Sequence, residues 1–296
     1  EYIYFLRKTF EENIEKNLKS DFSVAIDVAN GATYKVAEKV FTKLGINFEI
    51  INNNPDGINI NENCGSTHLE NLKKFVVNHK MSLGIAYDGD GDRCLAVDEE
   101  GNEIDGDTLI AIFGEYLKKR NKLKNNTIVS TIMSNLGLNK FAKEQDLDLK
   151  QTKVGDRYVL EEMLKNDYNL GGEQSGHIIL LDYNPTGDGI LTSLMLIQIL
   201  LEENIKISKL CKIINKYPQV LINVKVNNDK KPLYKEDTEI QEEIKNLEAE
   251  LQDNGRVIIR PSGTEPLIRV MIEGQNQKMI EEKATKLANL IKLKLN

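Results

Sequence analysis

Met81-Ser82-Leu83-Gly84-Ile85-Ala86-Tyr87 runs directly into Asp88-Gly89-Asp90-Gly91-Asp92-Arg93. An apolar stretch of strand length is thus followed by three carboxylates at every second position. Carboxylates so spaced repel one another unless a cation sits among them, and the glycines between let the backbone fold tightly enough to gather them. Oxygen-only ligands point to a hard cation, and three carboxylates with room left for a phosphate suit Mg²⁺ better than a full Ca²⁺ cage. Arg93 adds a fixed guanidinium fork, a phosphate ligand beside the metal. Two other readings compete. A solvated acidic turn explains a single Asp-Gly, but not three alternating acids capped by arginine. An EF-hand loop wants acids at its first, third and fifth positions and Glu at its twelfth, where Glu99 falls. Its sixth position must be glycine, however, and here it is Arg93, while the preceding residues read as a buried strand instead of an incoming helix.

Upstream, residues 23–28 read as a strand ending at the Asn30-Gly31 turn, and residues 33–44 as a helix stopped by Gly45. A second strand follows at 46–51, then an Asn-rich loop at 52–66 and a helix at 67–78. The result is a βαβαβ unit with the acidic loop at the carboxyl end of its third strand, where open α/β sheets hold ligands. Ahead of it, residues 1–20 space Ile3, Leu6, Phe10, Ile14 and Leu18 by threes and fours, a linker helix.

Downstream, residues 94–97 read as a short strand and 98–102 as a turn, with a domain boundary near Ile104. Gly106-Asp107 opens a helix through residue 117, with Asp107 as its N-cap. A second α/β cycle follows: strand 127–132, helix 135–145, strand 149–152, helix 158–165, strands 168–171 and 177–181, and a long helix 188–203. The last third reads β-α-β-β-α, with helices on one face of an antiparallel sheet. The fold class expected is therefore α/β, with two similar α/β domains of mixed sheets (21–104 and 105–216) followed by a small α+β C-terminal domain (217–296).

With 296 residues the chain is long enough for two or three compact units, and 40 % hydrophobic with 29 % charged residues is ordinary for a globular protein. A net charge of −7 argues against nucleic-acid or anionic-membrane binding. Cys64, Cys94 and Cys211 are scattered and odd in number, giving neither a disulfide framework nor metal-ligand spacing, so a reducing cytoplasm is expected. The most apolar run, 190–201, is too short to span a membrane and carries Thr192, Ser193 and Gln198.

Two further stretches concentrate chemistry. Gly172-Glu173-Gln174-Ser175-Gly176-His177 sets a carboxylate, an amide, a hydroxyl and an imidazole on a glycine-bounded loop, a density of donors and acceptors suited to vicinal sugar hydroxyls. The plainer reading is a polar hairpin in which His177 is merely hydrogen-bonded. Arg260-Pro261-Ser262-Gly263-Thr264-Glu265-Pro266 combines a guanidinium, two hydroxyls and a glycine that bares backbone N–H groups, a workable phosphate cradle, and Arg269 offers another positive group from the next strand. A Pro-Ser-Gly turn with arginine for solubility is the alternative.

Read jointly, these three loops resemble the α-D-phosphohexomutase family, whose members carry an Asp-Gly-Asp-x-Asp-Arg metal loop, a Gly-Glu-x-Ser-Gly sugar loop and an Arg-x-Ser-Gly-Thr-Glu-Pro phosphate loop in this order. Within it, the stretch from Gly171 to His177, Val154-Gly155-Asp156-Arg157-Tyr158-Val159, and Asn61-Glu62-Asn63-Cys64-Gly65-Ser66-Thr67-His68 look like the phosphoglucosamine mutase branch. The resemblance runs from about residue 22 to the end. It implies Asp88, Asp90 and Asp92 as Mg²⁺ ligands and Arg93 as their catalytic partner. It further implies Glu173 and Ser175 as sugar-hydroxyl ligands, and Arg260, Ser262, Gly263 and Thr264 as the clamp for the phosphate that is not transferred. The implied activity is an isomerase of amino-sugar metabolism and cell-wall precursor synthesis, taking a phosphorylated hexosamine through a phosphoserine enzyme and a 1,6-bisphosphate. Phosphomannomutase or phosphoglucomutase activity is the nearer alternative, and a non-catalytic sugar-phosphate or Ca²⁺ module the more distant one. The family's serine lies in a Thr-Ala-Ser-His-Asn-Pro-like loop of a first domain, and no serine here stands in a Ser-His-Asn context. The missing N-terminal domain is thus an expected partner, and without it weak metal occupancy and no turnover are expected.

Overall fold

The computed structural model describes residues 1–295. Two compact units are present, one made of Glu1–Ser134 with Leu138–Asn215, the other of Asn135–Gly137 with residues from Lys216 onward.

The first unit opens with α1 (Tyr2–Asn17), whose buried Leu6, Phe10 and Ile14 recur every fourth residue, one stripe of the helix. Then come β1 (Ser23–Asp27), α2 (Tyr34–Lys43), β2 (Asn47–Ile51), α3 (Glu70–His79), β3 (Leu83–Tyr87), β4 (Cys94–Val97) and β5 (Glu103–Ile104). The sheet runs β2-β1-β3-β4-β5, with the first three strands parallel and the last two antiparallel. A second cycle follows: α4 (Gly106–Lys119), β6 (Thr127–Thr131), α5 (Leu136–Glu144), β7 (Asp148–Thr152), α6 (Asp156–Asn166), β8 (Leu170–Gly172), β9 (Ile178–Leu180), α7 (Gly189–Glu203) and the short α8 (Ile207–Leu210). Its sheet runs β7-β6-β8-β9, again with three parallel strands and an antiparallel fourth. The two sheets therefore share one winding order, which periodicity alone did not establish. β3 is buried at all five positions, as befits a central strand covered on both faces.

Residues 189–201 of α7 are buried all round, so the most apolar run of the chain is a core helix. It packs against α1, β3 and β4. No helix of the described residues is long and apolar enough to cross a membrane.

Two local expectations are corrected. The N-cap of α4 is Asp105, not Asp107: Asp105 is extended (φ −84°, ψ 177°) and its Oδ1 accepts from Thr108 N at 3.1 Å and Thr108 Oγ1 at 2.9 Å. A cap must be non-helical, and Gly106 already lies in the helix, which leaves Asp107 buried in the first turn. The strand β5 was not anticipated, because two residues show no alternation; its existence rests on the pairing of Ile104 with Ala96.

The second unit holds β10 (Gln219–Lys225), α9 (Thr238–Leu251), β11 (Gly255–Pro261), β12 (Leu267–Gly274) and α10 (Gln277–Leu295). Its sheet is antiparallel in the order β10-β12-β11. Val224, Ile268, Val270 and Ile272 form one face, packed with Ile240, Leu247, Ile280, Leu287 and Ile291 of the two helices. The other face carries Asn223, Arg260 and Arg269, because successive side chains of a strand point to opposite sides.

Candidate active site

β3 delivers the acidic loop. Its last residue, Tyr87, is fully buried and hydrogen-bonds Ser193 of α7 through its hydroxyl (2.8 Å), which anchors the strand end. Asp88 then turns the chain: its Oδ1 accepts from the backbone N–H of Gly91 (3.2 Å) and Arg93 (3.1 Å). Gly91 takes φ +81°, and a Cβ there would stand 2.5 Å from Thr33 Cγ2, so both the backbone and the space ask for glycine. The Gly91 carbonyl is held by Gly189 N–H at the start of α7 (2.9 Å), and the Gly89 carbonyl by Ala32 N–H (2.8 Å).

The carboxylates of Asp88, Asp90 and Asp92 each place an oxygen within 4.8 Å of the others. Asp88 is only 7 % exposed. Burial pushes its carboxyl up to about 7, the neighbouring Asp92 and Asp90 add to the rise, and the Arg93 N–H opposes it. Asp92 Oδ1 is buried without a hydrogen-bond partner. Mutual repulsion, burial and an orphaned oxygen are what a divalent cation would relieve, and the all-oxygen donor set fits Mg²⁺. The guanidinium of Arg93 hangs beside the loop, its Nε 3.8 Å from Asp88 and 3.9 Å from Asp92, without a hydrogen bond from that nitrogen. An EF-hand requires an entering helix, and here a strand enters, so the calcium-loop reading fails on geometry.

A cavity of about 360 Å³ opens onto the loop, lined among others by Asp90, Asp92, Thr33, Thr186 and Tyr2. The Thr33 hydroxyl is buried with no partner. Asp188 caps α7 by accepting from Leu191 N (3.0 Å), and Tyr2 donates to the same oxygen at 2.6 Å.

The stretch from Gly172 to His177 lies directly against the acidic loop. Arg93 and His177 form an antiparallel bridge, and Cys94 N donates to Gly176 O at 3.0 Å. Gly176, at φ +92°, would put a Cβ 2.4 Å from that Cys94 carbonyl, so glycine permits the close backbone approach. His177 is 3 % exposed. Its Nε2 accepts from Gly187 N (3.1 Å), which leaves the proton on Nδ1 to be donated to Asp92 Oδ2 at 3.0 Å. His177 is therefore the support of a loop carboxylate, a role that sequence reading did not assign because its partner lies 85 residues away.

Glu173 is half-buried and accepts from Gly155 N through Oε1 (3.1 Å), which fastens the stretch 153–157 beside it. Ser175 is exposed at the tip of the loop. Gln174 turns its amide toward Asp105 Oδ2 (3.4 Å), while its carbonyl accepts from Gly106 N (2.9 Å). The α4 cap thereby supports the loop, and the Gln174 side chain is directed to that cap.

In the second unit Arg260 and Arg269 are direct cross-strand partners. Like charges so placed are unfavourable unless an anion lies between them. Arg269 pairs with Glu265 at 3.2 Å, but its Nε is buried without a partner. Ser262 is 5 % exposed and its Oγ accepts from Glu265 N (3.1 Å), while Gly263 and Thr264 are exposed.

Family models describing phosphoglucomutase/phosphomannomutase match the chain in tandem: alpha/beta/alpha domain II over residues 1–101, domain III over 105–217 and the C-terminal domain over 221–290. The chain belongs to the phosphoglucomutase/phosphomannomutase family. Among its relatives, the phosphoglucosamine mutase of Clostridium beijerinckii is 54 % identical over 296 residues, all of this chain and 65 % of the relative. That of Clostridium novyi is 52 % identical over the same shares. The chain thus spans 65 % of the length of the curated relatives it matches. Solved phosphohexomutases share the fold. One is an N-acetylglucosamine-phosphate mutase in its product complex (TM-score 0.80, 21 % identity, 98 % of this chain and 65 % of that one). Another is the Aspergillus fumigatus N-acetylphosphoglucosamine mutase in complex with GlcNAc-6P and magnesium (TM-score 0.78, 20 % identity, 98 % and 69 %).

Proposed function

We propose that this chain supplies the metal, sugar and distal-phosphate sites of a phosphoglucosamine mutase, which interconverts glucosamine 6-phosphate and glucosamine 1-phosphate in the cytoplasm through a phosphoserine and a 1,6-bisphosphate. The observation that carries this reading is the backbone junction of the acidic loop with the stretch from Gly172 to His177. It sets three clustered carboxylates beside a loop carrying a carboxylate, an amide and a hydroxyl, in a chain 54 % identical to phosphoglucosamine mutases. The nucleophilic serine is assigned to the part of those relatives that this chain does not span.

Asp88, Asp90 and Asp92 would hold Mg²⁺, the ion named with GlcNAc-6P in the Aspergillus fumigatus protein. Bound there, it would neutralise charge on the phosphoryl group being transferred. His177 orients Asp92 through its Nδ1–H, and Arg93, loosely held by Asp88 and Asp92, is free to swing onto a phosphoryl oxygen. Glu173 keeps one oxygen on Gly155 N and has the other for a sugar hydroxyl, joined by the exposed Ser175 hydroxyl. In the second unit Arg260, Arg269, Ser262, Gly263 and Thr264 hold the phosphate that is not transferred.

The test is phosphorus NMR of glucosamine 6-phosphate with Mg²⁺ and a catalytic amount of glucosamine 1,6-bisphosphate. No glucosamine 1-phosphate is expected from the 296-residue chain by itself. Turnover is expected once a phosphoserine domain taken from a Clostridium relative is added. Turnover by the chain alone would sink the assignment of the serine, and faster conversion of mannose or glucose phosphates by the reconstituted protein would sink the amino-sugar assignment.

A further inference from the structure

Lys231 lies outside the loops described so far, at the start of a 3₁₀ turn, Lys231–Lys235, that follows β10. It is 8 % exposed, unusual for a lysine. Its ammonium donates to two backbone carbonyls of the loop after β11, Ser262 O at 2.5 Å and Glu265 O at 2.9 Å. Lys231 N in turn donates to Asn227 O (3.1 Å), and Val226 N donates to Pro266 O (3.0 Å), so the segment carrying the lysine is fastened to the far side of that loop. No carboxylate of the described residues pairs with this ammonium. A buried charge is tolerated only when hydrogen-bonded or paired, and two of its three donors are spent on carbonyls.

We propose that Lys231 is a positioning residue for phosphate binding: it turns the carbonyls of the Ser262 to Glu265 loop inward and polarises them, so that Gly263 and Thr264 present their N–H groups outward as an anion nest. This rests on the phosphate reading of that loop given above. The carbonyl of Ser262 and the N–H of Gly263 belong to one peptide unit. A cation on the oxygen withdraws electrons from the nitrogen end and makes that N–H a stronger donor. Gly263 and Thr264 are exposed, and their N–H groups make no hydrogen bond within the described residues, whereas Ser262 N and Glu265 N are used internally (to Leu267 O, 2.9 Å, and Ser262 Oγ, 3.1 Å). The uncompensated ammonium below and the facing Arg260 and Arg269 add positive charge to one anion site.

The experiment is a titration of the full chain with inorganic phosphate, followed by the ¹H–¹⁵N resonances of Gly263 and Thr264, in wild type, Lys231→Met and Lys231→Gln, with thermal unfolding run in parallel. Both amides are expected to move in wild type. Lys231→Met is expected to weaken phosphate at least tenfold and to shift the Gly263 amide even without phosphate. Lys231→Gln, a neutral donor, is expected to weaken it to a similar degree, because the charge is lost with either change. A purely structural lysine would lower the melting temperature while leaving the phosphate affinity of the folded variants within twofold of wild type, and that result overturns the proposal. If both variants fail to fold, the residue is structural and the proposal falls as well. If the wild-type amides ignore phosphate, the phosphate reading of the loop itself is wrong, an outcome distinct from failure of the Lys231 role.

Discussion

Replacing His177 separates two functions that its ring nitrogens perform. Nδ1–H orients Asp92 (3.0 Å) and Nε2 receives the buried Gly187 N–H (3.1 Å), with the ring closed in by Gly187, where a Cβ would stand 2.5 Å from Cε1. Loss of a group that orients a metal ligand lowers metal affinity about 10–100-fold, which is about 1.4–2.7 kcal/mol. A buried N–H left without an acceptor costs about 1–3 kcal/mol of stability. In His177→Asn the amide nitrogen stands near the position of Nδ1, so metal binding is expected to stay within a few-fold of wild type while stability falls. In His177→Gln the amide oxygen reaches the position of Nε2, so stability is largely kept and metal binding drops. His177→Ala loses both. Mn²⁺ serves as the probe through water-proton relaxation, and urea unfolding gives the stabilities. If the alanine variant binds Mn²⁺ as wild type does, or if Gln keeps affinity and Asn loses it, the assignment of the two nitrogens is refuted.

Three further outcomes are expected. Gly91→Val places a Cβ where Thr33 Cγ2 lies and forces φ +81° on a branched residue, about 1–3 kcal/mol of strain at least, so the Mn²⁺ relaxation signal should vanish along with some stability. Asp105→Ala removes the α4 cap and the contact to Gln174, costing about 1 kcal/mol in urea unfolding. Glu273, 0 % exposed, is raised above its ordinary 4.5 by burial, which its hydrogen bond and ion pair with Arg256 only partly offset. A carboxyl raised in the folded state favours folding most below its ordinary value and loses that contribution as pH rises through the folded one. The stability of wild type relative to Glu273→Gln is therefore expected to decline as urea midpoints are followed upward from about pH 4, and a difference that grows with pH would count against it.

Much of the candidate site was legible because its residues are local. Three alternating acids between glycines, and a Ser-Gly turn flanked by arginine, point to the metal and phosphate roles proposed above from adjacent residues alone. The β-α-β-β-α order of the last third was legible in the same way and is seen as β10, α9, β11, β12 and α10. What spacing could not convey was partnership. Gln174 looked like a sugar-facing amide because its neighbours are polar, yet its side chain turns to Asp105, 69 residues before it. Nothing local to Lys231 reveals the carbonyls 31 and 34 residues away that its ammonium meets.

The sequence by itself determined most of the elements and their period, the three loops that carry the candidate site, and the family resemblance, because each depends on side chains within one or two turns of chain. Only the tertiary structure decided that both α/β sheets share one winding order, and that Arg93 bridges His177. It alone decided that His177 supports Asp92 and that Arg260 faces Arg269. Those facts are set by strand order and register, which arise from burying whole faces of helices and sheets together, and no periodicity within a segment encodes which distant segment it will meet.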